Sequence, residues 1–501
     1  MPDYASLVIA APLIPLVGAA LIALLHRVPN LREAASLVTA ALLAFVVLQL
    51  LAGVLDGARP AVSLIEVLPG VGLAFSVEPL GMLFATIAGL LWLVNTLYSI
   101  GYMRGNAEKR QTVFYVCFAL ALASTMGIAF SGNLFTLFIF YELLTLTTVP
   151  LVTHKANEEA VRAGRVYLGI LMGSSVLLFL SAIIWTYVAA GTVDFRDGGI
   201  LAGVLAGLPL AALLALFAWG IGKAALMPLH AWLPAAMVAP TPVSALLHAV
   251  AVVKAGVDCI VKVTVYNFGI DLLAATVEAQ WLVYVAGTSV VLASLIAMRQ
   301  DNLKRRLAYS TISQLSYVVM AAAMFSPLAI LGAAMHIAAH AFGKITLFFV
   351  AGSIYTAAHK TQVSELAGIG RRMPWTMGAF AIGTFSMIGL PLTVGFLSKW
   401  YMLQAAVQET QIFVLAVLFL STILNAAYFI PILYIAFLRR PPDGAPPESH
   451  GEAPWPIVVA LCITAAGAVL LFFYPDVPLA LTESVAQSGG GAGFPPPDSA
   501  N

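Results

Sequence analysis

With 501 residues, 61% of them hydrophobic and 9% charged, the chain lacks the polar shell of a soluble protein, since ordinary soluble domains are about 25% charged. A net charge of +1 offers no basic surface for nucleic acid. Its cysteines, Cys117, Cys259 and Cys462, stand far apart in apolar stretches with no CxxC pair, so they supply no disulfide frame and no zinc or iron–sulfur site.

Apolar runs of about 20 residues, the length that crosses a bilayer, define about fourteen helices in one polytopic, all-α membrane domain. The first, 5–25, follows a start without a basic n-region and is read as a retained helix. Next come 34–54, 77–101, 112–130, 133–153, 164–190, 207–236 and 242–265. The remaining runs are 279–297, 306–325, 328–357, 374–407, 411–437 and 454–474. The Pro- and Gly-rich stretch 439–456 reads as a solvated loop, and the segment 476–501 as a disordered tail.

Loops that alternate between the two sides sort the basic residues unevenly. One side collects most of them, from Arg27 and Arg32 through Arg104, Lys155, Lys304 and Lys360 to Arg440, while the other holds Arg59, Arg196 and Lys262. The positive-inside rule makes the first side cytoplasmic and puts both termini outside.

Lys223, Lys254, Lys344 and Lys399 lie in no loop. The first three fall near the middle of their runs, as does Glu142 in "FIFYELLTLTTVP", and Lys399 falls beyond the midpoint of its own. Each central charge costs about 2.5–3.5 kcal/mol, and such residues face a bundle interior or wet cavity and mark ion or proton paths. Buried ion-pair glue is the structural alternative. His248 lies six residues before Lys254, while His336, His340 and Lys344 recur at i, i+4 and i+8 on one helical stripe. Lys254, Asp258 and Lys262 form a second such stripe, in which Asp258 can pair with either lysine and tune its titration. Imidazole both accepts and donates near neutral pH, so this row suits a proton relay. Pro228 in "GIGKAALMPLHAWLP" and Pro391 in "SMIGLPLTVGFLSKW" are expected to break the seventh and twelfth helices at depth, where irregular backbone lines a cavity.

The segments "GKAALMPLHAWLPAAMVAPTPVSALLHAVAVVKAGV", "LKRRLAYSTISQLSYV" and "HAFGKITLFFVAGS" resemble the proton-conducting antiporter-like family. That family includes the large membrane-arm subunits of complex I and the A and D subunits of Mrp cation/proton antiporters. The resemblance implies fourteen helices, with helices four to eight and nine to thirteen as two inverted repeats. It implies a first segment at 1–110, repeats at 111–270 and 271–437, and a loop with a last helix at 438–475. It carries the family's functional positions onto Glu142, Lys223, His248, Lys254, His340, Lys344 and Lys399. "GLPLTVGF" departs from the family's usual "GLPPLSGF", and Asp258 replaces an apolar residue. The length suits a D-type Mrp subunit. The implied function is the proton-translocating subunit of a multisubunit Na⁺ or K⁺/proton antiporter, a transporter subunit rather than a stand-alone enzyme. It would sit in the cell inner membrane beside other membrane subunits, with no cofactor and no metal. The alternative is a proton-pumping subunit of a complex I-like, hydrogenase or bicarbonate-uptake complex, part of a translocase such as NADH:quinone oxidoreductase.

Overall fold

A computed structural model describes residues 3–440 and 450–490, without the side chains of Leu68, Leu247 and His248. The central part of the expected loop, 441–449, and the end of the expected tail, 491–501, lie outside the described residues.

The chain is a multi-pass, mostly helical membrane protein. Among the described residues ten helices are long and apolar enough to cross a membrane. They begin with α1 (Tyr4–Leu24), α2 (Pro29–Leu55), α3 (Pro79–Gly105), α4 (Gln111–Ala129), α5 (Leu134–Val152) and α6 (Glu158–Ala190). Four further runs form helices that are broken, short or more polar. They are α7 (Gly207–Gly220), α8 (Val252–Lys262), α10 (Leu303–Ala322) and the pair α12 (Pro374–Ile388) and α13 (Val394–Gln408). Between them stand α9 (Trp281–Met298) and α11 (Pro327–Ala358), followed by α14 (Ile412–Phe437) and α15 (Trp455–Phe473).

The apolar residues are distributed for lipid. Val188 is 76% and Phe419 73% exposed, while α11 is buried over 94% of its most apolar stretch. A helix buried all round occupies the centre of a bundle, so α11 and its titratable stripe lie at the core.

Two elements differ from expectation. Residues 61–76, between α2 and α3, form an antiparallel hairpin of β1 (Ala61–Leu68) and β2 (Val71–Ser76). The run is too short for a spanning helix, and Pro69–Gly70, with Gly70 at φ +74°, provides the turn. The segment read as a disordered tail instead begins with α16 (Asp476–Ser488). Its Leu481 and Val485 are buried, and the Gly198 and Ile270 amides donate to the Ser488 and Gly489 carbonyls at 2.8 and 2.9 Å. Its apolar face finds a partner in the tertiary structure that composition alone does not reveal.

Candidate functional site

The first break precedes its proline. α7 stops at Gly220, Gly222–Ala224 forms a 3-10 turn, and Ala225 takes φ +54°, so Pro228 lies inside the break and does not start it. Close packing explains this. A Cβ on Gly222 would sit 2.3 Å from Ser174 Oγ, and one on Gly256 2.2 Å from the Ala224 nitrogen. The two glycines let α6, the turn and α8 meet at backbone distance. Carbonyls freed by the break still need donors. Trp232 Nε1 donates to the Gly222 carbonyl at 3.0 Å and Trp219 Nε1 to that of Met227 at 3.2 Å.

Lys223 projects from this turn and is fully buried. Its Nζ donates to the Tyr141 carbonyl at 2.8 Å and to Thr145 Oγ1 at 2.6 Å, and stands 3.2 Å from the centre of the Tyr141 ring. Glu142, the next residue of α5, forms no ion pair with it. Both Glu142 carboxylate oxygens are buried without a hydrogen bond among the described residues, close enough to act on Lys223 electrostatically.

At the centre, a π-helical turn over Leu246–Val250 leads into α8. Such bulges recur at functional sites, and this one carries His248, whose side chain lies outside the described residues. Lys254 Nζ is hydrogen-bonded to His340 Nδ1 at 2.7 Å, joining α8 to α11. The His340 and His336 ring centres are 6.1 Å apart. Gln314 donates its amide to the Met387 carbonyl at 3.4 Å, which turns its oxygen toward His336 Nε2 at 3.0 Å. His336 Nδ1 then faces Ser398 Oγ at 2.8 Å. That hydroxyl also lies 3.1 Å from the Gly395 carbonyl, so its single proton has two acceptors.

The second break lies between α12 and α13. Gly389, at φ +91°, ends α12 before Pro391, so here too the proline follows the interruption. Lys399 Nζ donates to the last carbonyls of α12, Met387 at 2.8 Å and Ile388 at 3.0 Å, where the helix dipole favours a cation. Lys344 stands apart from this line. It donates to Ser310 Oγ and, at 3.4 Å, to the Leu307 carbonyl, so the His336–His340–Lys344 stripe is not one hydrogen-bonded chain.

Lys262, expected in a loop, is fully buried at the end of α8. It forms an ion pair with Glu78 and donates to the Ala129 and Ser131 carbonyls, each at 3.2 Å. Asp258, also fully buried, hydrogen-bonds to neither Lys254 nor Lys262. Of the pairings open to it from sequence, each lysine has taken another partner.

A cavity of about 320 Å³ opens beside the first break, lined by Tyr102, Lys155, Thr241, Lys304 and Lys360. These lysines come from loops that the charge pattern assigned to one side. Glu108, in the neighbouring loop, is raised above the usual carboxylate range by burial, opposed by Lys155 and Lys304. A second cavity of about 280 Å³ reaches Lys399 between Phe396, Trp400 and Phe419.

Residues 131–425, which contain both breaks and nearly every buried titratable group described above, match the family described as "NADH:quinone oxidoreductase/Mrp antiporter, TM". The chain belongs to this family. It is 32% identical over 428 residues to NADH-quinone oxidoreductase subunit N of Desulforudis audaxviator, covering 81% of this chain and 83% of that one. It is 29% identical to the A-type component of the Na(+)/H(+) antiporter of Alkalihalophilus pseudofirmus, covering 82% of this chain but 54% of that longer one. In fold it matches a chain of the Mrp complex from a Dietzia species at TM-score 0.87 and 21% identity, over 98% of both chains.

Within this antiporter-family chain, Gln314, Ser398 and Glu78 carry part of the geometry and escaped the sequence reading. Gln314 and Ser398 are common neutral residues whose spacing marks nothing until α10 and α13 pack on α11. Glu78 sits at the rim of a spanning run, where a carboxylate is unremarkable; its fully buried partner was the signal.

Proposed function

We propose that this chain is the proton-translocating subunit of a multisubunit Na⁺ or K⁺/proton antiporter, close to the D-type Mrp subunits. The observation that carries the reading is the Lys254–His340 hydrogen bond of 2.7 Å at the bundle centre, which links the two broken-helix lysines through titratable groups. The proposal includes fourteen crossings, two inverted repeats (111–270 and 271–437), a plasma-membrane location and both termini outside. The gathering of Lys155, Lys304 and Lys360 at one cavity supports that sidedness.

Protons enter from the cytoplasm through this cavity, beside the first break and the turn bearing His248. Lys223 holds its proton against neutral oxygen acceptors, and Glu142 sets its affinity by approaching or withdrawing. The structure has the withdrawn arrangement. From Lys254 the proton passes to His340 and His336, then along Ser398 to Lys399, with water bridging the longer steps. Lys344 serves as a side station next to Lys254. In reverse, the same route admits protons to drive cation export by the assembled complex.

The test is proton flux in everted membrane vesicles carrying this chain with its partner subunits, energised by respiration and followed by a pH-sensitive dye. Collapse of ΔpH on adding Na⁺ or K⁺, lost in Lys223→Ala at normal protein yield, is the expected result. Full activity in that variant would sink the scheme. A second reading rests on the 32% identity to NADH-quinone oxidoreductase subunit N, which extends along 83% of that protein's length. It makes this chain the proton path of a redox-driven complex, and predicts no response to either cation.

A further inference from the structure

Asp258 is surplus to the relay described above and fits neither nearby ion pair. It is fully buried, and both carboxylate oxygens lack a hydrogen-bond donor among the described residues. On its own helix, Lys254 is engaged with His340 and Lys262 with Glu78. Lys262 is further satisfied by the Ala129 and Ser131 carbonyls and Ser131 Oγ, so it needs no second carboxylate. An ionised carboxylate without donors is costly in an apolar interior, whereas a neutral acid is tolerated. The site is therefore suited to a group that gains and loses a proton, and unsuited to a standing countercharge.

Its position gives that chemistry a direction. Lys254, Asp258 and Lys262 share one stripe of α8, and each step of four residues rises about 6 Å along the axis. At the far end the Glu78 side chain retains 12% exposure and feels Asp197 in the loop beyond, so the stripe runs from the bundle centre to the face that bears the hairpin. The other groups acting on Asp258 are Glu78 and Cys259, while Tyr266 stands a turn further out with its hydroxyl near Ser488.

We propose that Asp258 carries protons between Lys254 and the Lys262–Glu78 pair, giving the first half its own opening to the outer face in parallel with the route through Lys399. The proposal rests on the central-axis reading. The Lys254 ammonium gives its proton to the Asp258 carboxylate, leaving a neutral amine and a neutral acid. The acid then passes the proton through water to the Glu78 carboxylate, which releases it outside while Lys262 stays a fixed cation. Charge is conserved at each transfer, and no co-reactant is required.

The experiment compares cation-driven proton flux in vesicles containing the whole complex with wild type, Asp258→Asn, Lys399→Ala and the double variant. Each single variant should keep part of the flux and the double variant none, with Asp258→Glu restoring what Asp258→Asn loses. Wild-type flux in Asp258→Asn, or complete loss in Lys399→Ala alone, overturns the branch. Lys223→Ala in the same series separates the two readings, because full flux there defeats the axis itself. A measurement on the wild-type complex guards against misfolded variants. A hydrophobic carbodiimide, which modifies protonated carboxyls in apolar surroundings, should label Asp258 in a peptide map. No adduct there at any pH would also overturn the proposal.

Discussion

The buried lysines of this protein meet the cost of burial in different ways. Lys262 has a carboxylate partner, the one arrangement that demands a permanent charge. Lys223 has a carbonyl and a hydroxyl, Lys344 a hydroxyl and a carbonyl, Lys254 an imidazole, and Lys399 the carbonyl end of a helix. Neutral acceptors of this kind can hold an ammonium through its hydrogen bonds without pinning it in that state. Those four are hence suited to exchange protons, and Lys262 is suited to stay charged. Arginine tests the distinction, since its guanidinium keeps its charge but does not release a proton. Lys254→Arg should assemble and melt like wild type while cation-driven proton flux stops. Flux at the wild-type rate would mean that a fixed charge suffices and that no proton resides on residue 254.

At the scale of elements, both breaks begin at glycine-rich backbone before the proline that announced them. Pro228 and Pro391 were legible as breakers, but the interruption sets in at Ile221 and Gly389, where packing and φ decide. The freed carbonyls are claimed by Trp219 and Trp232 in one break and by Gln314 and Lys399 in the other. The second break also depends on a close approach, since a Cβ on Gly395 would lie 1.8 Å from the Ser386 carbonyl oxygen. Backbone cannot yield as a flexible side chain can, so Gly395→Val should destabilise the protein by about 1–3 kcal/mol through overpacking. A lower thermal midpoint of the purified complex, with flux falling further than folded protein, is the expected result. An unchanged midpoint would show that α12 and α13 can move apart freely.

Over the whole molecule, an apolar exterior surrounds a polar line that runs through the bundle centre and is reached by a cavity near each break. The C-terminal α16 closes one end of the bundle, with its Ser488 and Gly489 carbonyls taken by amides of two distant loops. Shortening the chain after Tyr474 should therefore lower its melting temperature, because Gly198 and Ile270 lose their acceptors and the partners of Leu481 and Val485 become exposed. A truncated chain that melts like wild type would make α16 a passive appendage.

Composition and the length of the apolar runs by themselves determined a multi-pass helical protein, because lipid allows little else to a chain this poor in charge. Sequence also singled out Glu142, Lys223, Lys254, His336, His340, Lys344 and Lys399, since a titratable group within a spanning run is conspicuous for its cost. Only the tertiary structure decided how they are partnered. It gave Lys254 to His340 and Lys262 to Glu78, set Lys344 aside on Ser310, and left Asp258 without a donor among the described residues. The physical reason is that burial cost is a property of one residue in its segment. A hydrogen bond, by contrast, is settled by which helices lie side by side, and spacing along one chain does not carry that information.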